Sequence, residues 1–185
     1  MKTSKPFATI SYNTNDFLIS KLDELVSKRF ISFYAFINHF AESDELKNHI
    51  HLYIIPNGQI QTDMISDFLV ELDSDNLKPL GIMPCSVSKF GDWYLYCSHN
   101  IDYLESKGLN RKYHYVLDDF FTSSFDYLLE LIHTIDFGKY EKCRKFIDDV
   151  LNGVSLGDML LKGQIPAPQF NQFKAMYDYI KGARD

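Results

Sequence analysis

Two runs of β-branched and aromatic residues, ISFYAFINHF at 31–40 and HIHLYIIP at 49–56, flank a short polar stretch, AESDELKN at 41–48. No other feature of the chain restricts its fold as much. Such runs form strands, and a connection this short joins them as an antiparallel hairpin. Successive strand side chains point to opposite faces. His49, His51 and Tyr53 therefore share one face, and Ile50, Leu52 and Ile54 share the other. The apolar face packs on helices, and the histidine face sets two imidazoles side by side. His39, near the end of the partner strand, can join them, and Glu42 in the loop can add a carboxylate. Three imidazoles and a carboxylate make a mixed nitrogen and oxygen site for a divalent cation such as Mn²⁺ or Mg²⁺. Taken alone, the same residues also fit an ordinary strand with partly exposed histidines and a solvated loop acid.

The remaining pattern places the hairpin in an α+β chain. PFATISYNT (6–14) reads as a first strand, and DFLISKLDELVSKRF (16–30) as a helix capped by Asn15 or Asp16. QTDMISDFLVELD (61–73) reads as a second helix capped by Thr62 or Asp63. LKPLGIMPCSVS (77–88) reads as a strand weakened by Pro79 and Pro84. GDWYLYCSHNIDYLESKG (91–108) reads as one helix stopped by Gly108, and LNRKYHYVL (109–117) as a short strand or extended tail. From residue 118 onward the periodicity is helical, with Gly and Pro between the segments. The expectation is an antiparallel sheet of about five strands flanked by helices, with an all-helical C-terminal appendage. The implied division is 1–117 and 118–185.

Composition narrows the function classes. The chain has 185 residues, 45% of them apolar, enough to bury a core. Its formal net charge is −6, which argues against a nonspecific polyanion binder, since such binding depends on many Lys and Arg. It leaves room for a site-specific DNA enzyme with a small basic channel. Cys85, Cys97 and Cys143 are odd in number and lack metal-type spacing, which fits a reducing cytoplasm. No signal core or membrane-length apolar window is present.

WYLYCSHNIDYL (93–104) supplies a second set of reactive groups. On a continuous helix Tyr96, His99 and Tyr103 share a face. Ionising a tyrosine of reference pKa ~10 at pH 7 costs about 4 kcal/mol, which a nearby base and a cation on the target phosphate can offset. Tyr96 is thus a candidate nucleophile, with Tyr94 its rival about 200° around the helix. A core tyrosine bonded to backbone is the plain alternative.

In order, a strand ending in His39, then HIHLYI, then YLYCSH, the set resembles the HUH endonucleases. Within them it resembles the Rep-type rolling-circle plasmid replication initiators that use one catalytic tyrosine. HIHLYI matches the family's His–hydrophobic–His strand, and YLYCSH matches its Tyr-Leu-Tyr-Leu-Thr-His pattern, whose second tyrosine maps onto Tyr96. NRKYHY is similar to the basic-aromatic segment that follows in those proteins. The resemblance covers roughly residues 6–117, and the tyrosine follows the histidines as in initiators. It implies a ferredoxin-like HUH fold, with His49 and His51 binding the metal and His39 and Glu42 as further ligands. Here the acid is Glu where the family has Asp. His99 would orient the tyrosine or the phosphate. The implied activity is replication initiation: nicking one origin strand, forming a 5′-phosphotyrosine link, releasing a 3′-OH primer and later rejoining the strand. The implied partners are single-stranded or hairpin origin DNA and the helicase and polymerase of a bacterial host. A single-tyrosine HUH transposase and a non-catalytic nucleic-acid-binding module are the competing readings.

Lys107, Arg111 and Lys112, with Tyr113 and Tyr115, form the densest basic-aromatic cluster, suited to phosphates and unpaired bases. A solvated turn is the alternative. The chain has no G-x-x-x-x-G-K-[ST] loop, hence no helicase motor of its own. In the tail, Leu156, Met159 and Leu160, then Phe170, Phe173 and Tyr177, suit two packed helices, either for homo-oligomerisation or as a helix-turn-helix.

Overall fold

The structure is a computed structural model that describes residues 2–42, 47–69, 81–135, 145–165 and 170–182. The expected helix beyond residue 69, the start of the 77–88 strand, Cys143 and residues 139–144 and 166–169 lie outside these.

The central element is a five-stranded antiparallel sheet. Its strands are β2 (Phe7–Ser11), β3 (Ile31–His39), β4 (His49–Pro56), β6 (Ile82–Pro84) and β7 (Phe121–Thr122), in the order β6-β2-β4-β3-β7. A separate two-stranded ribbon pairs β1 (Lys2–Thr3) with β5 (Ile60–Gln61). The α+β expectation with about five strands holds.

One sheet face packs on α1 (Asn15–Ser27) and α2 (Thr62–Phe68). Leu18, Leu22 and Leu25 of α1 repeat at helical spacing and bury against Tyr34, Phe36, Ile50, Leu52 and Ile54. Thr14 rather than Asn15 or Asp16 caps α1, its hydroxyl accepting from Phe17 N at 3.4 Å. Thr14 has the extended backbone an N-cap needs, whereas Asn15 is already helical. Gln61 stands at the N-cap of α2, where Thr62 or Asp63 was expected, and Thr62 begins the helix.

The opposite face packs on α3 (Phe90–Cys97) and α5 (Phe125–His133). Tyr53 meets Phe90 and Trp93, and Phe33 meets Tyr127 edge to face at 4.9 Å. With both faces covered, the middle of β4 is continuously buried. A bulge between Ile31 and Phe33 shifts the β3 register. Two odd-numbered residues therefore serve opposite faces: Ile31 packs with α1, Phe33 with α5.

The chain forms two compact units. The first comprises Met1–Asn100 and Arg111–Ile135, the second Ile101–Asn110 and Asp136–Asp185. The first unit thus runs past the expected boundary at 117, because β7 completes the sheet beside β3 and α5 covers its face. The described part of the second unit is helical: α4 (Ile101–Ser106), α6 over 145–151, α7 (Leu156–Leu161) and α8 (Phe170–Gly182). Its small core joins Phe146, Val150, Met159 and Ile165, with Leu156, Phe173 and Tyr177 against them. Leu160, expected in that packing, is 37% exposed. Among the described residues no helix is long and apolar enough to cross a membrane.

Candidate metal centre and nucleophile

β3 ends and β4 begins at the loop end of one hairpin, in a register that sets His39 across from His49 and Ile37 across from His51. The faces follow the alternation read from the sequence. The ring centroids stand 5.4 Å apart for His39–His49, 4.5 Å for His39–His51 and 4.9 Å for His49–His51. One ligand-capable nitrogen from each lies within 4.8 Å of the others, so the three histidines can hold a metal ion.

Hydrogen bonds set which nitrogens are free. His39 Nε2 donates to the Cys97 carbonyl at 2.7 Å, leaving its lone pair on Nδ1. His49 Nδ1 donates to the Lys47 carbonyl at 3.1 Å, leaving its lone pair on Nε2. That Nε2 stands 3.2 Å from His51 Nε2. Two imidazole nitrogens bound to one tetrahedral cation at about 2.05 Å lie about 3.3 Å apart, so the pair fits a shared ion. Backbone carbonyls that hold the far nitrogen are a recurring support for ligating histidines. Burial pushes His51 down to about 2 and His39 down to about 4, and neighbouring imidazoles reinforce both shifts. Both rings are neutral at pH 7, the form that ligates.

Glu42 is not part of this cluster. Its carboxylate accepts from Lys112 N at 2.8 Å and lies 3.9 Å from Arg111 Nη1. It fastens the segment after residue 110 to the end of β3 and aims Arg111, where a fourth ligand was expected.

The tyrosine segment departs from the expected single helix. α3 stops at Cys97, and His99 adopts φ +52. His99 N bonds Tyr96 O at 3.1 Å and Asn100 N bonds Leu95 O at 3.0 Å. This is a Schellman ending with histidine where glycine is usual. The one-face reading of Tyr96, His99 and Tyr103 fails because residue 99 leaves the helix. The turn still brings His99 to the cluster, its ring centroid 4.4 Å from that of His39. His99 Nδ1 donates to the Tyr113 carbonyl at 2.6 Å, which leaves Nε2 as acceptor, and burial lowers its pKa. His114 Nδ1 donates in turn to the His99 carbonyl at 2.6 Å.

Tyr96 is half-buried, and its ring meets His51 edge to face at 5.6 Å. Tyr94, the rival, is buried and stacks on Phe120 at 5.0 Å, and burial raises its pKa. A cavity of about 150 Å³ is lined by His39, Phe40, Glu42, His49, Tyr96, His99 and Arg111. A larger cleft of about 500 Å³ is lined by Ala8, Ile10, His51, Ile82, Met83, Trp93 and Tyr96. Tyr96 thus borders both.

The basic-aromatic residues divide. Arg111 lines the smaller cavity, and Lys112 is exposed with Nζ 5.2 Å from the Tyr113 ring. Tyr115 stacks on His39 at 4.8 Å and its hydroxyl accepts from Phe40 N at 3.0 Å, so it props the histidine rather than standing free for a base. Lys107 belongs to the second unit, its Nζ 5.5 Å from the Tyr103 ring. Phe40, passed over in the sequence, lines the cavity while 55% exposed. Its signal was an apolar residue at the point where the strand gives way to a polar loop. No protein-family model and no curated protein matches the chain.

Proposed function

We propose that this chain is a metal-dependent DNA nickase and strand-joining enzyme of the replication-initiator kind, with Tyr96 as nucleophile. The observation that carries the reading is the Tyr96 ring 5.6 Å from His51, within a cluster of three imidazoles able to hold one cation. The sequence resemblance points to the same residues.

His39, His49 and His51 would hold the cation. Three nitrogen donors suit Mn²⁺ better than Mg²⁺, which prefers oxygen. When bound, it supplies Lewis-acid polarisation of the phosphate. The Arg111 guanidinium binds a non-bridging phosphate oxygen from the wall of the same cavity. His99, neutral and with Nε2 free to accept, takes the Tyr96 proton. The Tyr96 oxygen bonds to phosphorus, the bond to the 3′ oxygen breaks, and that oxygen takes a proton from solvent to leave as the free 3′-OH while His99 returns its proton to solvent. The 5′ end stays on Tyr96. Attack by a 3′-OH on the phosphotyrosine reverses the step and rejoins the strand without ATP. A host polymerase would extend the primer, and a host helicase would open the duplex.

The test is a denaturing gel of wild type and Tyr96→Phe with single-stranded oligonucleotides from the protein's own replicon, in Mn²⁺ and in EDTA. The expected result is a Mn²⁺-dependent covalent adduct with wild type only. An adduct that persists in Tyr96→Phe removes the nucleophile assignment, and no adduct on any strand removes the enzyme reading.

A further inference from the structure

Phe40 is the first residue beyond β3, and it is 55% exposed although its backbone is held on both sides. Its own N–H donates to the Tyr115 hydroxyl at 3.0 Å, and the N–H of Ala41 donates to Asn48 Oδ1 at 2.8 Å. The ring is thus presented from an anchored position. A single exposed apolar residue is ordinary on any surface. What sets Phe40 apart is its company. It shares a cavity of about 150 Å³ with Tyr96 and Arg111. The Tyr113 ring stands 6.2 Å from it at 66°, so the two rings are not stacked on each other. Lys112 Nζ lies 5.2 Å from the centre of the Tyr113 ring. Two rings and two cations therefore sit together beside Tyr96. Glu42 offsets part of this charge, its carboxylate 3.9 Å from an Arg111 side chain that is 35% exposed.

We infer that Phe40 is a stacking platform for one unpaired nucleobase of the bound strand, in a nucleotide next to the attacked phosphate. The inference rests on the nickase reading and adds the contact that holds a base there. Stacking on an aromatic side chain beside cations that track the backbone is how single strands are held without sequence preference, because every base has a π-face. Phe40 supplies the ring, and Arg111, on the same cavity, supplies the cation for a phosphate. An apolar peptide side chain is the poorer occupant, since it covers the ring but brings no anion to Arg111. Tyr115, which the sequence offered for this part, is stacked on His39 instead.

The test is fluorescence anisotropy with the full chain in EDTA at low salt, where the nickase reading predicts binding without cleavage and phosphate contacts are strongest. The probes are a labelled oligothymidylate and an abasic strand of the same length, which carries the same phosphates and no base. Wild type should bind the thymidine strand at least about tenfold more tightly than the abasic one. Phe40→Ala should weaken the thymidine strand by about tenfold and leave the abasic strand within about twofold of wild type. Phe40→Leu keeps apolar bulk without a π-face and should behave like Phe40→Ala. Equal affinity of wild type for the two strands overturns the platform, as does failure to bind either. An equal loss on both strands in Phe40→Ala also overturns it, and so does wild-type affinity for thymidine in either variant. All of these outcomes leave the nickase reading standing, because the Tyr96 adduct decides that separately.

Discussion

His39 Nε2 lies 2.7 Å from the carbonyl oxygen of Cys97, so a candidate ligand on β3 is tied to the last turn of the helix that carries Tyr96. The same bond leaves the His39 lone pair on Nδ1 and fixes where α3 ends against the sheet. Centre and nucleophile are joined through one backbone group, which side-chain replacement at residue 97 cannot remove.

The cluster separates ligands from neighbours, and metal titration reads the difference. Replacing His49 or His51 by Ala should lower Mn²⁺ affinity by about 100-fold or more, beyond the ~10–100-fold typical of losing a supporting group. Glu42→Gln should change it by no more than about twofold, since that carboxylate sits on Lys112 N and Arg111. Isothermal titration of the three variants decides it, and a large loss in Glu42→Gln would return Glu42 to the ligand set.

His99 holds a backbone conformation that costs a residue with a Cβ about 1 kcal/mol or more. If that cost is retained for the imidazole, removing the side chain should reverse the usual ranking of small residues. His99→Gly should be more stable than His99→Ala by about 1 kcal/mol, the opposite of their order inside a helix. Urea midpoints of the two variants give the comparison. Ala at or above Gly would show that the turn opens when the histidine is lost.

The sheet was legible because its strands carry period-two patterns long enough to show: the two faces of β4 follow directly from HIHLYIIP. What escaped were features set by backbone rather than by pattern. The bulge at Ile31–Phe33 has no compositional mark. The break after Cys97 uses histidine where the usual signal is glycine, so helical periodicity ran through it unchecked. β7 is two residues long and makes its contribution by pairing with β3, a long-range event invisible to a local window. Among site residues, the shared face of His49 and His51 was readable from strand spacing, and the nearness of His39 from the short connection between the strands. The roles of Glu42 and Tyr115 depend on where the 111–115 segment returns, and its sequence records only that it is basic and aromatic.

Tyr34 gives a test of the packing between α1 and the sheet. Its hydroxyl donates to Asp23 Oδ1 at 2.8 Å, and burial followed by that carboxylate raises its pKa well above the usual tyrosine value. Below pH about 10 the hydroxyl is protonated in folded and unfolded chains alike, and its contribution is fully present. Above that the unfolded chain releases a proton the folded chain keeps, so the folded state binds more protons and stability falls as pH rises. Urea unfolding between pH 8 and 11 should show this decline, shallower in Tyr34→Phe. Equal slopes would mean the hydroxyl ionises as readily in the folded chain.

Trp93 is the only tryptophan, it is 7% exposed, and it lines the cleft that Tyr96 and His51 share. Because its ring lines that cleft, its emission is sensitive to what enters. If the strand to be cut crosses this cleft, single-stranded DNA should change Trp93 emission in EDTA, before any cleavage, while a blunt duplex with no unpaired base should not. Met83 sits on the edge strand at the cleft's rim and is 62% exposed, so its replacement removes no buried contact. Met83→Asp places a carboxylate where backbone phosphates would pass. At about 1 kcal/mol for a charge pair near 4 Å in water, it should weaken single-strand affinity about fivefold, and less at high salt. A silent Trp93 on a strand that nonetheless forms the Tyr96 adduct would route the DNA through the smaller cavity by Phe40 and Arg111 instead.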